Sequence, residues 1–214
     1  MAKEKNIDLL IDGLVKVKNL FPVSFKCLMV GSGPEKTRLE EKVSALDLEK
    51  QVLFTDNMAP RDIARCYLAA DLFVFASTSE TQGMVLVEAM AGGCPVVAVR
   101  ASGVYDVLKD GHNGLMVAES TESWAKAVAN LLMDRHQLSV LSQKSRVFAE
   151  GYSEEKIAEK CVKLYQRVVI LKKSKRGVIK VNDENEHIVQ AHSGRHLDAR
   201  PGEPVHGHLV RDDP

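Results

Sequence analysis

The chain has 214 residues, with 29 Lys+Arg against 29 Asp+Glu, 45% hydrophobic residues and 27% charged ones. That length and mix fit one globular domain of ordinary size, with room for an appendage, and allow a real core without metals or disulfides. They exclude a collagen, a wholly disordered chain and a disulfide scaffold, and a net charge of zero argues against a nucleic-acid binder driven by bulk electrostatics.

Ile7, Leu10, Ile11, Leu14 and Val15 recur at helical spacing, so an amphipathic helix begins almost at the first residue. Ser24–Val30 reads as a buried strand closed by Gly31-Ser32-Gly33-Pro34, and Pro34 suits the first position of a helix running to about Leu46. Gln51–Phe54 is a short strand, Pro60–Ala70 a helix and Asp71–Ala76 a second buried strand. Gly83–Ala91 reads as a helix, Pro95–Val99 as a strand and Gly103–Leu108 as a short helix. The turn cluster Asp110–Gly114 leads into a last strand, Leu115–Val117. Trp124, Ala127, Val128, Leu131 and Leu132 form a helical stripe, followed by helices over Gln137–Ala149 and Glu154–Leu171, the latter capped by Ser153.

Strands and helices therefore alternate, and the strands are short, continuous and apolar. This predicts an α/β fold with a doubly wound, Rossmann-like parallel sheet covered on both faces. The chain opens with a helix where such a half opens with a strand, so the expectation is that a first strand lies upstream and is missing. From Lys172 the KKSKRG run breaks the pattern, and residues 172–214 read as a disordered polar tail. The tail holds His187, His192, His196, His206 and His208, for which metal binding is the sharper alternative. The basic run could touch anionic lipid, or simply match the dipole at a helix end. Cys27, Cys66, Cys94 and Cys161 have no zinc-like spacing and read as reduced thiols of a cytoplasmic protein. No signal peptide or membrane span is visible.

In an open α/β sheet a ligand sits beyond the carboxyl ends of the strands, and two loops there stand out. Gly31 and Gly33 would let a ligand approach the backbone before a helix N-terminus, although such a pair is often only a tight turn. Ser77–Ala91 places Glu80 in a loop, Gly83 at a helix start and Glu88 inside the helix. The unpaired N–H groups near Gly83, Met84 and Val85 form a phosphate seat that needs no metal. Two carboxylates beside it could hold sugar or ribose hydroxyls. The plain alternative makes Glu80 a solvated loop residue and Glu88 a helix surface residue. Glu88 has the apolar neighbours Val85, Leu86, Val87 and Ala89, which predicts a partner for its charge.

The Glu80–Glu88 element, E-T-Q-G-M-V-L-V-E, followed by A-M-A-G-G-C-P-V-V-A, resembles the signature of retaining family 4 glycosyltransferases of the GT-B fold. E-K-N-I-D-L-L-I, V-G-S-G-P, Y-L-A-A-D-L-F-V-F-A and V-L-K-D-G-H-N-G-L-M-V follow in family order, so the resemblance spans about Lys3–Val169. It implies the C-terminal, donor-binding half of a GT-B enzyme. Glu88 would hold the ribose, Glu80 would touch the transferred sugar, and the N–H groups of Gly83 and Met84 would hold the distal phosphate. Lys5 would bind the diphosphate. The implied reaction is hexose transfer from a nucleoside-diphosphate sugar, UDP-linked on family frequency, with retention and without a metal or other cofactor. No Asp-x-Asp motif is present.

The family's basic residue upstream of E-K-N and its N-terminal acceptor domain are absent here. The expectation is thus a donor domain that transfers little alone and meets its acceptor through the missing domain. S-E-T-Q-G resembles members that glycosylate lipids such as diacylglycerol, which would bring a peripheral membrane contact. A GT-B epimerase or phosphorylase and a non-catalytic nucleotide-sugar-binding fragment remain as alternatives.

Overall fold

The computed structural model describes residues 1–20 and 24–175. The expected histidine tail lies outside them. Five strands alternate with helices, as the hydrophobic pattern predicts. After a 3-10 turn at Lys3–Lys5, the first five helices and the strands run α1 (Ile7–Leu20), β1 (Cys27–Val30), α2 (Lys36–Ala45), β2 (Val52–Thr55), α3 (Pro60–Ala69), β3 (Phe73–Phe75), α4 (Met84–Ala91), β4 (Val96–Val99), α5 (Ser102–Tyr105) and β5 (Gly114–Val117). Helices α6 (Thr121–Met133), α7 (Arg135–Glu150) and α8 (Glu154–Lys175) close the described chain. Two compact units result, Met1–Tyr165 and Gln166–Pro214. The described part of the second is the end of α8, where Val168, Val169, Ile170 and Leu171 are exposed.

All strand pairs are parallel, but they do not form one sheet. β1 pairs with β2, and β3, β4 and β5 form a separate sheet in that order. The three-stranded sheet is covered on both faces. Val97, Val99 and Ala76 face Leu14, Trp124 and Val128, while Phe75, Val96 and Ala98 face Leu86, Met90 and Val104. The two-stranded sheet departs from expectation. Met29 and Val52 pack into the core with Leu39 and Val43, but Leu28 and Leu53 on the other face are exposed. α3 buries none of its residues and leaves that face uncovered.

Local chemistry explains several boundaries. Gly13 lies in α1 because Trp124 of α6 packs flat against it: a Cβ there would fall 2.3 Å from the ring. The helix expected from Pro34 begins at Lys36, with Glu35 as an N-cap whose side chain makes no capping hydrogen bond. α7 starts earlier than expected because the Asp134 carboxylate accepts the Gln137 N–H at 2.8 Å. Ser153 caps α8 through the Lys156 N–H at 3.3 Å, as expected. Cys27 and Cys94 lie in apolar surroundings. Burial pushes both the Cys27 and the Cys94 thiols up to about 11, and Cys94 Sγ lies 3.0 Å from the Tyr67 carbonyl. All four cysteines are free.

Candidate functional site

The site forms where the carboxyl ends of β1 and β3 meet residues 1–5. The Met1 carbonyl accepts the Glu35 N–H at 3.3 Å, beyond β1. The Glu4 carbonyl accepts the Thr78 N–H at 3.3 Å and the buried Ser77 hydroxyl at 3.2 Å, beyond β3. The first turn is thereby tied to both sheets, and Asn6, left-handed at φ 51°, redirects the chain into α1. This fixes Lys5 over the mouth of a cavity of about 540 Å³ that Gly31, Glu80, Gln82 and Met84 also line.

Lys5 Nζ lies 4.0 Å from Glu80 Oε2, so two candidate residues far apart in sequence come together. Glu80 has a second connection that its loop position did not suggest. Its Oε1 accepts the N–H groups of Thr81 (3.2 Å), Gln82 (3.3 Å) and Gly83 (3.0 Å). Burial raises its pKa, but these donors and the Lys5 charge outweigh that and hold the carboxyl below its ordinary value. The phosphate seat is therefore narrower than expected. The Gly83 N–H is taken by Glu80, while no described residue outside α4 accepts the N–H of Met84 or Val85. Those two groups carry the positive end of α4.

Gly83 itself is explained by packing. It is left-handed at φ 66°, and a Cβ would fall 2.6 Å from the Gly103 carbonyl. Gly103 is a supporting residue that the sequence reading missed. Its N–H donates to the Glu80 carbonyl at 2.9 Å, and a Cβ on it would strike that same loop. The signal available was small: A-S-G-V after a strand, a second glycine at a strand–helix turn.

The two glycines after β1 differ. Gly33 does not leave room for a ligand, because a Cβ there would fall 1.9 Å from the Met1 nitrogen. Its place is filled by the chain's own first residue. Gly31, at φ 126°, has only Asn57 Oδ1 at 3.9 Å beside its missing Cβ and remains open to the cavity. Glu88 corrects the inference from its apolar neighbours. It is exposed, with no hydrogen bond or ion pair among the described residues, one turn along α4 from the exposed Met84. The helical period puts Leu86, Val87, Ala89 and Met90 inward and leaves Glu88 outward. Its charge adds to burial in pushing the Tyr67 phenol up to about 12. Glu88 does not line the cavity, although it stands beside the α4 end of the mouth.

Among the described residues, no group of three His, Cys, Asp or Glu side chains is placed to hold a metal ion, and no helix is long and apolar enough to cross a membrane. The basic run that could touch lipid or match a helix dipole begins at Lys172; the side chains of residues 173–175 and all of residue 176 lie outside what is described.

Comparison with known proteins places the chain in a family. The profile of the family described as "Glycosyl transferases group 1" matches residues 1–148. The chain is 30% identical over 166 residues to an alpha-monoglucosyldiacylglycerol synthase of Acholeplasma laidlawii, covering 77% of this chain and 41% of that protein. It is 35% identical over 138 residues to a D-inositol 3-phosphate glycosyltransferase of Corynebacterium urealyticum, covering 64% and 32%. Among solved structures, Anabaena HepE in complex with UDP-glucose superposes with a TM-score of 0.66 at 26% identity, covering 76% of this chain and 46% of that one. The pneumococcal O-GlcNAc transferase GtfA in complex with UDP and GlcNAc gives 0.68 at 26%, covering 78% and 34%. The chain thus spans roughly a third to under a half of these relatives' length.

Proposed function

The chain belongs to the group 1 glycosyl transferases, and from that premise we propose that it is the donor-binding half of a GT-B hexosyltransferase that uses a UDP-sugar. One observation carries the reading: Lys5 and Glu80 stand 4.0 Å apart at the N-terminus of α4, beside the free N–H groups of Met84 and Val85. A diphosphate placed there meets one flexible ammonium and two oriented backbone donors. Negative charge grows on that group as the glycosidic bond to the donor breaks, so both interactions strengthen toward the transition state. A point charge suits a group whose charge is spread over several oxygens.

In this reading Glu80 is held ionised by its three backbone donors and presents its second oxygen to the transferred hexose. Glu88, exposed and unpaired among the described residues, takes the ribose hydroxyls. Gly31 gives the donor close access to the backbone after β1, whereas Gly33 is left a structural role. Retention at the anomeric carbon and independence from a divalent metal are parts of the same proposal. UDP-sugar use is supported by the UDP complexes of the two structural relatives.

The acceptor is assigned to sequence beyond this match, because the relatives are two to three times as long as the part shared. A diacylglycerol-type lipid is the finer reading, supported by S-E-T-Q-G and by the likeness to the diacylglycerol enzyme. It carries with it a location at the cytoplasmic face of a membrane. Calorimetric titration with UDP, GDP and ADP tests the donor assignment. Preferential heat with UDP is expected, and equal or absent binding of all three would contradict it.

A further inference from the structure

Lys5 carries its charge on a four-carbon stem that is 48% exposed, and among the described residues its ammonium has one ionic contact, the 4.0 Å pair with Glu80. The reach of that ammonium is therefore set by where the backbone beneath it is held. Two side chains hold it. Ahead of Lys5, the Glu4 carbonyl accepts the Ser77 hydroxyl at 3.2 Å and the Thr78 N–H at 3.3 Å, which uses both of its lone pairs. Behind Lys5, Asn6 is left-handed at φ 51°, and its side-chain amide donates to Glu119 Oε1 at 3.0 Å. Ser77 is fully buried and directly follows the buried Phe75 and Ala76, where an apolar side chain would avoid the cost of withdrawing a hydroxyl from water. That cost is offset by the bond to the Glu4 carbonyl. Three residues on, the same loop carries Glu80, so Ser77 ties the turn bearing one charged group to the loop bearing the other.

We propose that Ser77 and Asn6 are positioning residues that place the Lys5 ammonium for the diphosphate, a role that rests on the donor-binding reading above. Neither side chain lines the cavity, while Lys5 and Glu80 both do. Ser77 fixes the turn against the end of β3 through Glu4. Asn6 lets the chain leave the turn for α1 in a left-handed conformation that Asn and Gly tolerate and Ala disfavours. Both act through Lys5, so their effect on a ligand exists only while Lys5 is present and the ligand carries phosphate. Loss of the Ser77 hydroxyl leaves the Glu4 carbonyl with the Thr78 N–H alone, and the turn gains freedom to move relative to Glu80 and the N-terminus of α4.

A double-mutant cycle on the 214-residue protein tests this, with UDP and uridine as probes in calorimetric titration. Ser77→Ala is expected to weaken UDP about fivefold, the worth of one hydrogen bond, and to leave uridine binding as in the parent. In a Lys5→Ala background the same change is expected to leave UDP binding where it was. Parent-like UDP binding by Ser77→Ala would overturn the proposal. So would weakening by the same factor in both backgrounds, or of UDP and uridine alike, since a merely loosened fold does that. Should Ser77→Ala not fold, the Asn6 pair puts the same question from the other side of Lys5. Asn6→Ala is expected to weaken UDP and Asn6→Gly to retain it, and equal UDP binding by the two would overturn the proposal. The single variant Lys5→Ala separates the two possible failures. If it binds UDP as the parent does, the diphosphate reading has failed and the positioning role falls with it; if it binds UDP more weakly while Ser77→Ala does not, the positioning role alone has failed.

Discussion

Glu80 binds three backbone N–H groups through one oxygen and approaches Lys5 with the other. The backbone contacts were not read from the sequence, although a carboxylate just ahead of a helix start is a natural acceptor for its free donors. The Lys5 contact was legible only through the family resemblance, since no local pattern links the two residues. Replacing Glu80 with Ala should cost about 1 kcal/mol in urea unfolding, the usual worth of a lost cap. The pH dependence follows from the lowered pKa. The folded value lies below the unfolded one, so the contribution is complete above the ordinary carboxylate range and is lost as pH falls through the folded value. Glu80→Gln should therefore flatten the stability profile between about pH 5 and pH 3, and an unchanged slope would contradict the account. Gly13→Ala sets two effects against each other. Helix propensity favours Ala by about 1 kcal/mol, and forcing a methyl against a fully buried ring costs about 1–3 kcal/mol. The ring of Trp124 at 2.3 Å decides the sign, so the variant should melt below the parent in calorimetry.

Among the elements, the α/β alternation was plain in the sequence because each segment carries its own period. Boundaries drifted where a cap or turn acts outside the hydrophobic run. Pro34 suggested a helix start, but Glu35 and the turn at Gly33 delay it to Lys36. Asp134 pulls α7 forward to Arg135, a cap the apolar pattern did not reveal. The two caps give contrasting predictions. Asp134→Ala should lose about 1 kcal/mol, whereas Glu35, which makes no capping bond to α2, should lose little beyond its exposed pairing with Arg38. Chemical denaturation of both variants checks the difference. The break between β1 and β3 could not be read from any segment, because strand pairing is a property of partners. The apolar runs around β1 and β3 looked like interior strands, and each has one edge unpaired among the described residues. Glu88 shows the same limit at smaller scale: its neighbours in sequence are buried, and its own direction on α4 is outward.

For the whole molecule, zero net charge says little about anion binding, which in the proposed donor site would rest on Lys5 and two peptide groups at one helix end. If the donor site works without a metal, as proposed, UDP affinity should be the same with and without EDTA. A large loss on chelation would redirect the mechanism. The central claim is that the mouth between Lys5, Glu80 and α4 holds a nucleoside diphosphate. Its most direct test is the thermal midpoint with and without UDP, in the parent, Lys5→Ala and Glu88→Ala. Lys5 is half-exposed and its ion pair is long, so removing it should barely move the ligand-free midpoint. UDP should raise the midpoint of the parent by several degrees, and either substitution should abolish most of that rise. No rise in the parent, or an equal rise in all three proteins, would contradict it.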